Sequence, residues 1–280
     1  MNGKISVLQN VKTVFKHPYP YVCVEDALPD HIYNELEDTF PEELVTDTPA
    51  HDGGITYRYK SNPALVEGKI PAIWQEFFEY HTSADYFHEC VSLFEPYIET
   101  LYPELIEDLY NKSVTVRDVD NTGHFITDCQ FVVHEPVDET GTTRTPHIDN
   151  PVEIYAGLLY MRKPGDDSYG GNFTIHEVTG EITEVNKTLG RQVDDSLHKP
   201  IKQIPYKRNT FCMFLNVKNS VHSVTPRMQA KHTRRSINII GEFNGTGRMW
   251  KVREIKSQCT VLEPWFKVKN TVLVKAAACL

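Results

Sequence analysis

The sequence has few cysteines, no long hydrophobic run and no excess of positive charge. Its six cysteines stand apart and form no CxxC pair, which argues against zinc-knuckle sites. No apolar run approaches the ~18 residues of a membrane helix, and the first residues lack the apolar core of a secretion signal. The 29 basic and 38 acidic residues give a net charge of −9, which disfavours binding to nucleic acid. We therefore expect a cytoplasmic protein with reduced thiols that binds neither nucleic acid nor membrane.

The spacing of apolar residues divides the chain into two parts. Before residue 113 it predicts mainly helices, over 30–40, 71–81 and 84–110, the last broken at Pro96 and Pro103. From Val114 onward, short β-branched and alternating runs between turn residues predict a sandwich or jelly roll. The predicted strands are 21–24, 114–117, 129–134, 154–161, 173–178, 210–215, 221–224 and 234–243. No linker or repeat separates the parts, so we predict a single domain with helices packed on a β-sandwich.

A histidine and a carboxylate stand two residues apart in the segment 145–151. Because side chains at i and i+2 of an extended chain share a face, His147 and Asp149 can bind one metal ion. A third ligand from another strand would complete the set of two histidines and one carboxylate that holds non-haem Fe(II). A chance pair in a loop is the alternative for this motif alone. His222, 75 residues beyond His147 and just after an apolar strand, is the candidate third ligand.

An alternating strand begins twelve residues after His222. Its pattern places Arg234, Ser236 and Asn238 on one face and Arg235 on the other. Polar groups that face the interior of a sandwich are costly unless they have partners. An arginine that binds a carboxylate through two hydrogen bonds removes that cost. The strand therefore predicts a site for an anion.

These residues, in this order on a β-rich chain, resemble the Fe(II)/2-oxoglutarate-dependent dioxygenases, and most closely the prolyl-4-hydroxylase-like branch. The family's apolar strand with a tyrosine corresponds to 158–161, and its Gly-Gly turn to 170–174. The resemblance covers about residues 129–243, less than half the chain. The segment 18–41 also resembles the entry of small oxygenases of this kind, though less specifically.

The resemblance implies a role for each candidate residue. His147, Asp149 and His222 would bind Fe(II) and form the catalytic centre. The co-substrate 2-oxoglutarate would chelate the iron, with O2 as the second co-substrate and ascorbate as an optional stimulant.

The distal carboxylate of 2-oxoglutarate would pair with Arg234, assisted by Tyr160 and Ser236. Arg235 remains an alternative to Arg234, because the spacing from the preceding histidine is longer than in close relatives. His134 stands where relatives often have a tyrosine. It is expected to contact the co-substrate or the substrate, or else to be an ordinary surface or supporting histidine.

The resemblance also implies a fold and an activity. The fold would be α+β, a double-stranded β-helix (jelly-roll) core with N-terminal helices packed on it. One oxygenase domain would span 1–280, with helical support and lid over 1–113, the jelly-roll core over 114–250 and a C-terminal extension over 251–280. The enzyme would oxidise an unactivated C–H bond of a small amino-acid-like metabolite by hydroxylation, desaturation or oxidative cyclisation.

Two alternatives to this activity stay open. One is a prolyl-type hydroxylase that acts on a peptide or protein, and the other is a non-catalytic jelly-roll module that binds a metal or ligand. Arg117 and Arg144 are candidate partners for an anionic substrate. Each is otherwise an ordinary surface arginine. The polar loops 135–146 and 184–200 are expected to cover the iron, and a monomer or homodimer is expected.

Overall fold

The structure is a computed structural model that describes residues 5–51, 56–137, 144–228 and 231–256. Within these ranges the chain is a mixed α and β protein, as the sequence predicts. The described α-helices all lie in the N-terminal part: α1 (Asp30–Asp38), α2 (Glu42–Thr46), α3 (Ser61–Val66), α4 (Ala72–His81), α5 (Ala84–Leu101) and α6 (Ile106–Asn111). None of the described helices combines the length and apolar character that crossing a membrane requires.

The described strands form two sheets and one isolated pair. They are β1 (Tyr21–Glu25), β2 (Thr56–Tyr59), β3 (Val114–Val116), β4 (Phe125–His134), β5 (Glu153–Tyr160), β6 (Phe173–Val178), β7 (Glu184–Asn186), β8 (His198–Ile204), β9 (Thr210–Leu215), β10 (His222–Val224), β11 (Arg234–Phe243) and β12 (Arg253–Ile255). The large sheet has the order β1-β9-β5-β11-β4-β2, with β3 beside β4. The small sheet has the order β10-β6-β8, and β12 pairs with β7.

The large sheet separates two packed layers. On one face, Phe131 of β4 packs against Trp74 and Phe78 of α4 at ring-centre distances of 4.6 Å, which joins the helices to the sheet. On the other face, Phe214 of β9 stacks on Phe173 of β6 at 5.9 Å, which joins the two sheets. Because successive strand residues point to opposite faces, one strand serves both layers. The candidate site lies between the two sheets.

Several elements differ from the sequence prediction. Helix α5 continues through Pro96, since its buried face packs into the core and outweighs the hydrogen bond that proline cannot make. Besides β1, which the sequence predicts over 21–24, the N-terminal part supplies β2 to the large sheet, and β2 is a four-residue edge strand too short to show an alternating pattern. The segment 184–200, predicted as a loop, contains β7 and the start of β8, whose residues are mostly exposed and therefore lack a hydrophobic signal.

Part of the sequence prediction falls outside the described residues. This holds for 138–143 in the loop 135–146 and for 257–280 in the C-terminal extension, with Cys259 and Cys279. The remaining cysteines are free thiols. Cys129 and Cys212 are buried, in agreement with their apolar neighbours in the sequence.

Candidate metal centre

Two histidines and one aspartate meet between the sheets, where β10 begins. His147 and His222 form an antiparallel pair, in which each backbone N–H donates to the other residue's carbonyl at 3.0 Å. The extended chain after His147 brings the carboxylate of Asp149 to 3.5 Å from the Nε2 atoms of both rings. One ligand atom from each residue lies within 4.8 Å of the other two. The structure thus brings together the three residues that the sequence singles out as metal ligands.

Backbone carbonyls hold both imidazole rings in one orientation. Nδ1 of His147 lies 2.6 Å from the carbonyl oxygen of Thr145, and Nδ1 of His222 lies 2.9 Å from that of Ser220. A carbonyl oxygen only accepts hydrogen bonds, so Nδ1 carries the proton in each ring. Nε2 of each ring is then unprotonated, which is the tautomer that a metal ligand needs, and Nε2 of His147 accepts a hydrogen bond from Nε of Arg144 at 2.9 Å.

Burial and neighbouring charges set the protonation of this cluster. Burial lowers the pKa of both imidazoles, to about 4 for His222, and Arg144 lowers that of His147 further, with its Nε 2.9 Å from His147 Nε2. Burial alone would raise the pKa of Asp149, but His222, His147 and Arg144 outweigh it and keep that pKa below its ordinary value. Two neutral imidazoles and one carboxylate are a suitable ligand set for a divalent transition metal.

Arg234 lies in the same cavity, at the first position of β11. Its guanidinium carbon lies 5.0 Å from the ring centre of Tyr160 and 4.9 Å from that of Tyr206. Its Nη2 donates to the carbonyl of Gly171 at 3.4 Å, while its buried Nε has no hydrogen-bond partner among the described residues. A buried guanidinium with an unpartnered N–H is suited to receive a carboxylate.

Arg235 lies on the opposite face of β11, among the helices. Its Nε donates to the carbonyl of Met161 at 3.1 Å, and its guanidinium carbon lies 4.7 Å from the ring centre of Phe40. Its Nη1 lies 3.9 Å from the carboxylate of Glu42 on α2. Of the two candidate arginines, the structure therefore places only Arg234 in the cavity.

The other predicted co-substrate residues surround Arg234. On the sheet, His134 is opposite Arg234, and Ser236 is opposite Tyr160. His134 Nδ1, Tyr160 Oη and Ser236 Oγ are buried and have no hydrogen-bond partner among the described residues. Burial and the charge of Arg234 hold the pKa of His134 well below its ordinary value, so its ring is neutral. Several unpartnered polar atoms around one guanidinium indicate a site for a polar ligand.

The cavity, of about 370 Å³, also has lining residues that the sequence did not reveal. Arg58 of β2 and Glu153 of β5 are the clearest of these. Arg58 gave no signal because its strand is short and lies at a sheet edge. Arg144 lines the cavity, whereas Arg117 is absent from the described lining and instead pairs with Asp128 and Glu242.

No protein-family model and no curated protein matches the sequence. Similar solved structures include a prolyl 4-hydroxylase from Phytophthora capsici, with a TM-score of 0.43 and 14% identity over 80% of this chain and 58% of that one. A prolyl-4-hydroxylase from Pseudomonas putida has a TM-score of 0.43 and 12% identity over 80% of this chain and 93% of that one. A protein from Shewanella oneidensis described as an oxygenase has a TM-score of 0.43 and 14% identity over 84% of this chain and 82% of that one. These neighbours are of the kind that the sequence motifs resemble.

Proposed function

We propose that this chain is an Fe(II)- and 2-oxoglutarate-dependent oxygenase. In this proposal the two facing sheets are the double-stranded β-helix core, within one domain. The observation that carries the proposal is that His147, Asp149 and His222 meet in the same cavity as Arg234. A buried cationic group beside a metal-ligand set is the arrangement that an anionic, metal-chelating co-substrate needs.

The three ligand residues fit Fe(II) by their chemistry. They offer two imidazole nitrogens and a carboxylate oxygen, and no thiolate lies among them. When bound, iron with 2-oxoglutarate and O2 would supply the oxidation of a C–H bond, with 2-oxoglutarate converted to succinate and CO2. The chain's own part is to hold the ligand rings by the carbonyls of Thr145 and Ser220.

The co-substrate would bind through residues of the large sheet. In this proposal Arg234 pairs with the distal carboxylate of 2-oxoglutarate, and the hydroxyl groups of Tyr160 and Ser236 donate hydrogen bonds to it. His134, being neutral, can donate one further hydrogen bond without adding charge. Together these contacts would satisfy the polar atoms that have no partner among the described residues.

The cavity favours a small substrate. Its volume of about 370 Å³ is at the lower end of the range typical of small-molecule sites. Phe173, Phe214 and Leu158 line it together with the charged groups, which suits a metabolite with an apolar body and polar ends. We propose a small amino-acid-like metabolite, oxidised in the cytoplasm, as the substrate.

The ligand set is tested by replacing His147 with alanine. Loss of a partner that merely orients a ligand costs about ten- to hundredfold in metal affinity, so loss of the ligand itself should exceed that. Binding of Fe(II) to the metal-free protein is measured by anaerobic calorimetry. His124→Ala is the matched control, because His124 is an exposed histidine on the turn before β4, bonded to Ser113.

The enzymatic part is tested by succinate formation. Wild-type protein with Fe(II), 2-oxoglutarate, ascorbate and O2 should release succinate, whereas a non-catalytic binding module cannot. Full iron occupancy in His147→Ala would show that the three residues are not the metal site. Iron binding without any succinate would favour the binding module.

A further inference from the structure

A row of hydrogen-bonded polar side chains crosses the cavity side of the large sheet. Arg58 of β2 donates from Nη1 to Oε1 of Gln130 at 3.2 Å. Gln130 in turn donates from Nε2 to the carboxylate of Asp128, two residues earlier on β4. Side chains two apart on a strand share a face, so the row runs from Asp128 toward the cavity. Arg58 lines the cavity.

The chemistry of the two ends gives the central amide a single orientation. A guanidinium only donates hydrogen bonds and an ionised carboxylate only accepts them. Gln130 must therefore turn its oxygen to Arg58 and its NH2 group to Asp128. The amide cannot flip without breaking both contacts, and Arg58 is held on the side where Gln130 presents its oxygen.

The far end of the row is firmly anchored. The side chain of Asp128 is 1% exposed, and Nε of Arg117 lies 3.1 Å from it. Ser61 Oγ lies 2.9 Å from the other carboxylate oxygen. A buried charged network contributes little stability compared with apolar residues of the same volume. Stability alone therefore gives no reason to place an oriented arginine at the cavity wall.

Arg58 and Arg234 are separate cationic groups on the same wall. In the sheet register Arg58 is opposite Val132, which is opposite Ser236, so two strand spacings, about 10 Å, separate β2 from β11. Arg234 is assigned above to 2-oxoglutarate, so Arg58 can bind a second anionic group. An acceptor also lines the cavity: the Oδ1 of Asn238, which is opposite Gln130 in the sheet and is buried without a hydrogen-bond partner among the described residues.

We propose that Arg58 binds the carboxylate of a free amino acid, which is the substrate to be oxidised. Gln130 and Asp128 are positioning residues that hold the guanidinium in place. Asn238 Oδ1 is the acceptor for the ammonium group, which in an α-amino acid is bonded to the carbon next to the carboxylate. This inference rests on the proposed oxygenase function and specifies the substrate class of that site.

The test compares amino acids with their carboxamides, which keep the shape and lose the negative charge. The common L-amino acids and their amides are titrated into protein saturated with Fe(II) and 2-oxoglutarate without O2. Changes in the visible absorption of the iron chelate report binding next to the metal. We expect at least one acid to bind roughly ten- to hundredfold more tightly than its amide. In Arg58→Met this preference is lost.

Further variants separate charge from geometry. Arg58→Lys keeps the charge without the planar fork and is expected to restore part of the preference. Gln130→Met removes the side chain that positions Arg58. It should reduce the ratio of the affinity for an amino acid to the affinity for its carboxamide, which a purely structural role of Gln130 would not change. Arg248→Met is the control, because the side chain of Arg248 donates to the carbonyls of Gly245 and Gly247 in its own loop. Thermal unfolding establishes that each variant is folded.

The possible results distinguish a failure of the Arg58 assignment from a failure of the proposed oxygenase function. If no chelate forms in the wild-type protein, the oxygenase proposal fails, and thermal-shift titrations of the same panel still report the role of Arg58 without iron. If the chelate forms but amides bind as well as acids, or no acid binds, the carboxylate assignment is wrong. Equal acid preference in wild type and Arg58→Met would also overturn it.

Discussion

Arg234 and Arg235 are neighbours in the chain but meet different surroundings. Arg234 faces the cavity beside Tyr160, and Arg235 faces the helices beside Phe40 and Glu42. The difference follows from the twofold period of a strand, which turns successive side chains to opposite faces. Two residues of the same type thus acquire different roles from one step along β11.

Replacing each of these arginines with methionine should therefore have different effects. Under the proposed function, Arg234→Met removes the buried partner of the co-substrate carboxylate, which we expect to weaken 2-oxoglutarate binding by roughly hundredfold or more. Calorimetric titration of the metal-loaded protein measures this change. Arg235→Met should instead lower the unfolding temperature, because it removes the contacts to Met161 and Glu42. A larger loss of 2-oxoglutarate affinity in Arg235→Met would reverse the assignment.

The turn before β6 needs a glycine for two reasons. Gly170 has a φ of +85°, which side chains rarely adopt, and a Cβ there would overlap the carbonyl oxygen of Pro226. Gly171 follows with its carbonyl bonded to Arg234. The turn therefore joins the small sheet to Arg234.

Gly170→Ala should destabilise the protein more than Gly165→Ala. Gly165 also has a positive φ, of +76°, but has open space where its Cβ would lie. Only the backbone cost of roughly 1–2 kcal/mol applies there, whereas the clash with Pro226 adds to it at Gly170. Urea unfolding of the two variants measures the difference. Equal losses would show that the turn can move away from Pro226.

A buried histidine links the N-terminal segment to the helices and bears on the stability of the whole molecule. Val7 N–H donates to Nε2 of His81 at 3.2 Å, and Nδ1 of the same ring lies 2.7 Å from the carbonyl of Phe77. Burial lowers the pKa of His81 to about 3. Both ring nitrogens are engaged only if the ring is neutral.

The stability of the protein should fall in mild acid because of His81. In the unfolded chain this ring is protonated below a pH of about 6.5, whereas in the folded protein it stays neutral down to about pH 3. Because the unfolded state binds the extra proton, the free energy of unfolding decreases as the pH falls between these values. This contribution amounts to about 2 kcal/mol at pH 5. His81→Gln should be less stable at pH 7 but should lose less stability between pH 7 and pH 5, as measured by urea unfolding.

A matched variant separates this effect from general acid sensitivity. His31 lies exposed on α1, and His31→Gln should lose as much stability as wild type between pH 7 and pH 5. A His81→Gln variant with the wild-type pH dependence would mean that the ring is protonated in the fold.

The sequence by itself determined the parts of the molecule with a local signal. Strands β6, β9 and β11 have the predicted bounds, because their apolar or alternating residues report burial directly. The spacing of His147 and Asp149, and the alternation of Arg234 and Arg235, also required only local geometry. Short edge strands such as β2 bury too few residues to be read in this way.

Tertiary structure alone decided which residues of different strands are neighbours across the cavity. The backbone pairing of His147 with His222 joins residues 75 positions apart, and no local pattern specifies that contact. The same holds for Arg58, which reaches the cavity wall because β2 pairs with β4. Such contacts form when the whole chain buries its apolar faces together, so their geometry is a property of the packed sheets rather than of any segment.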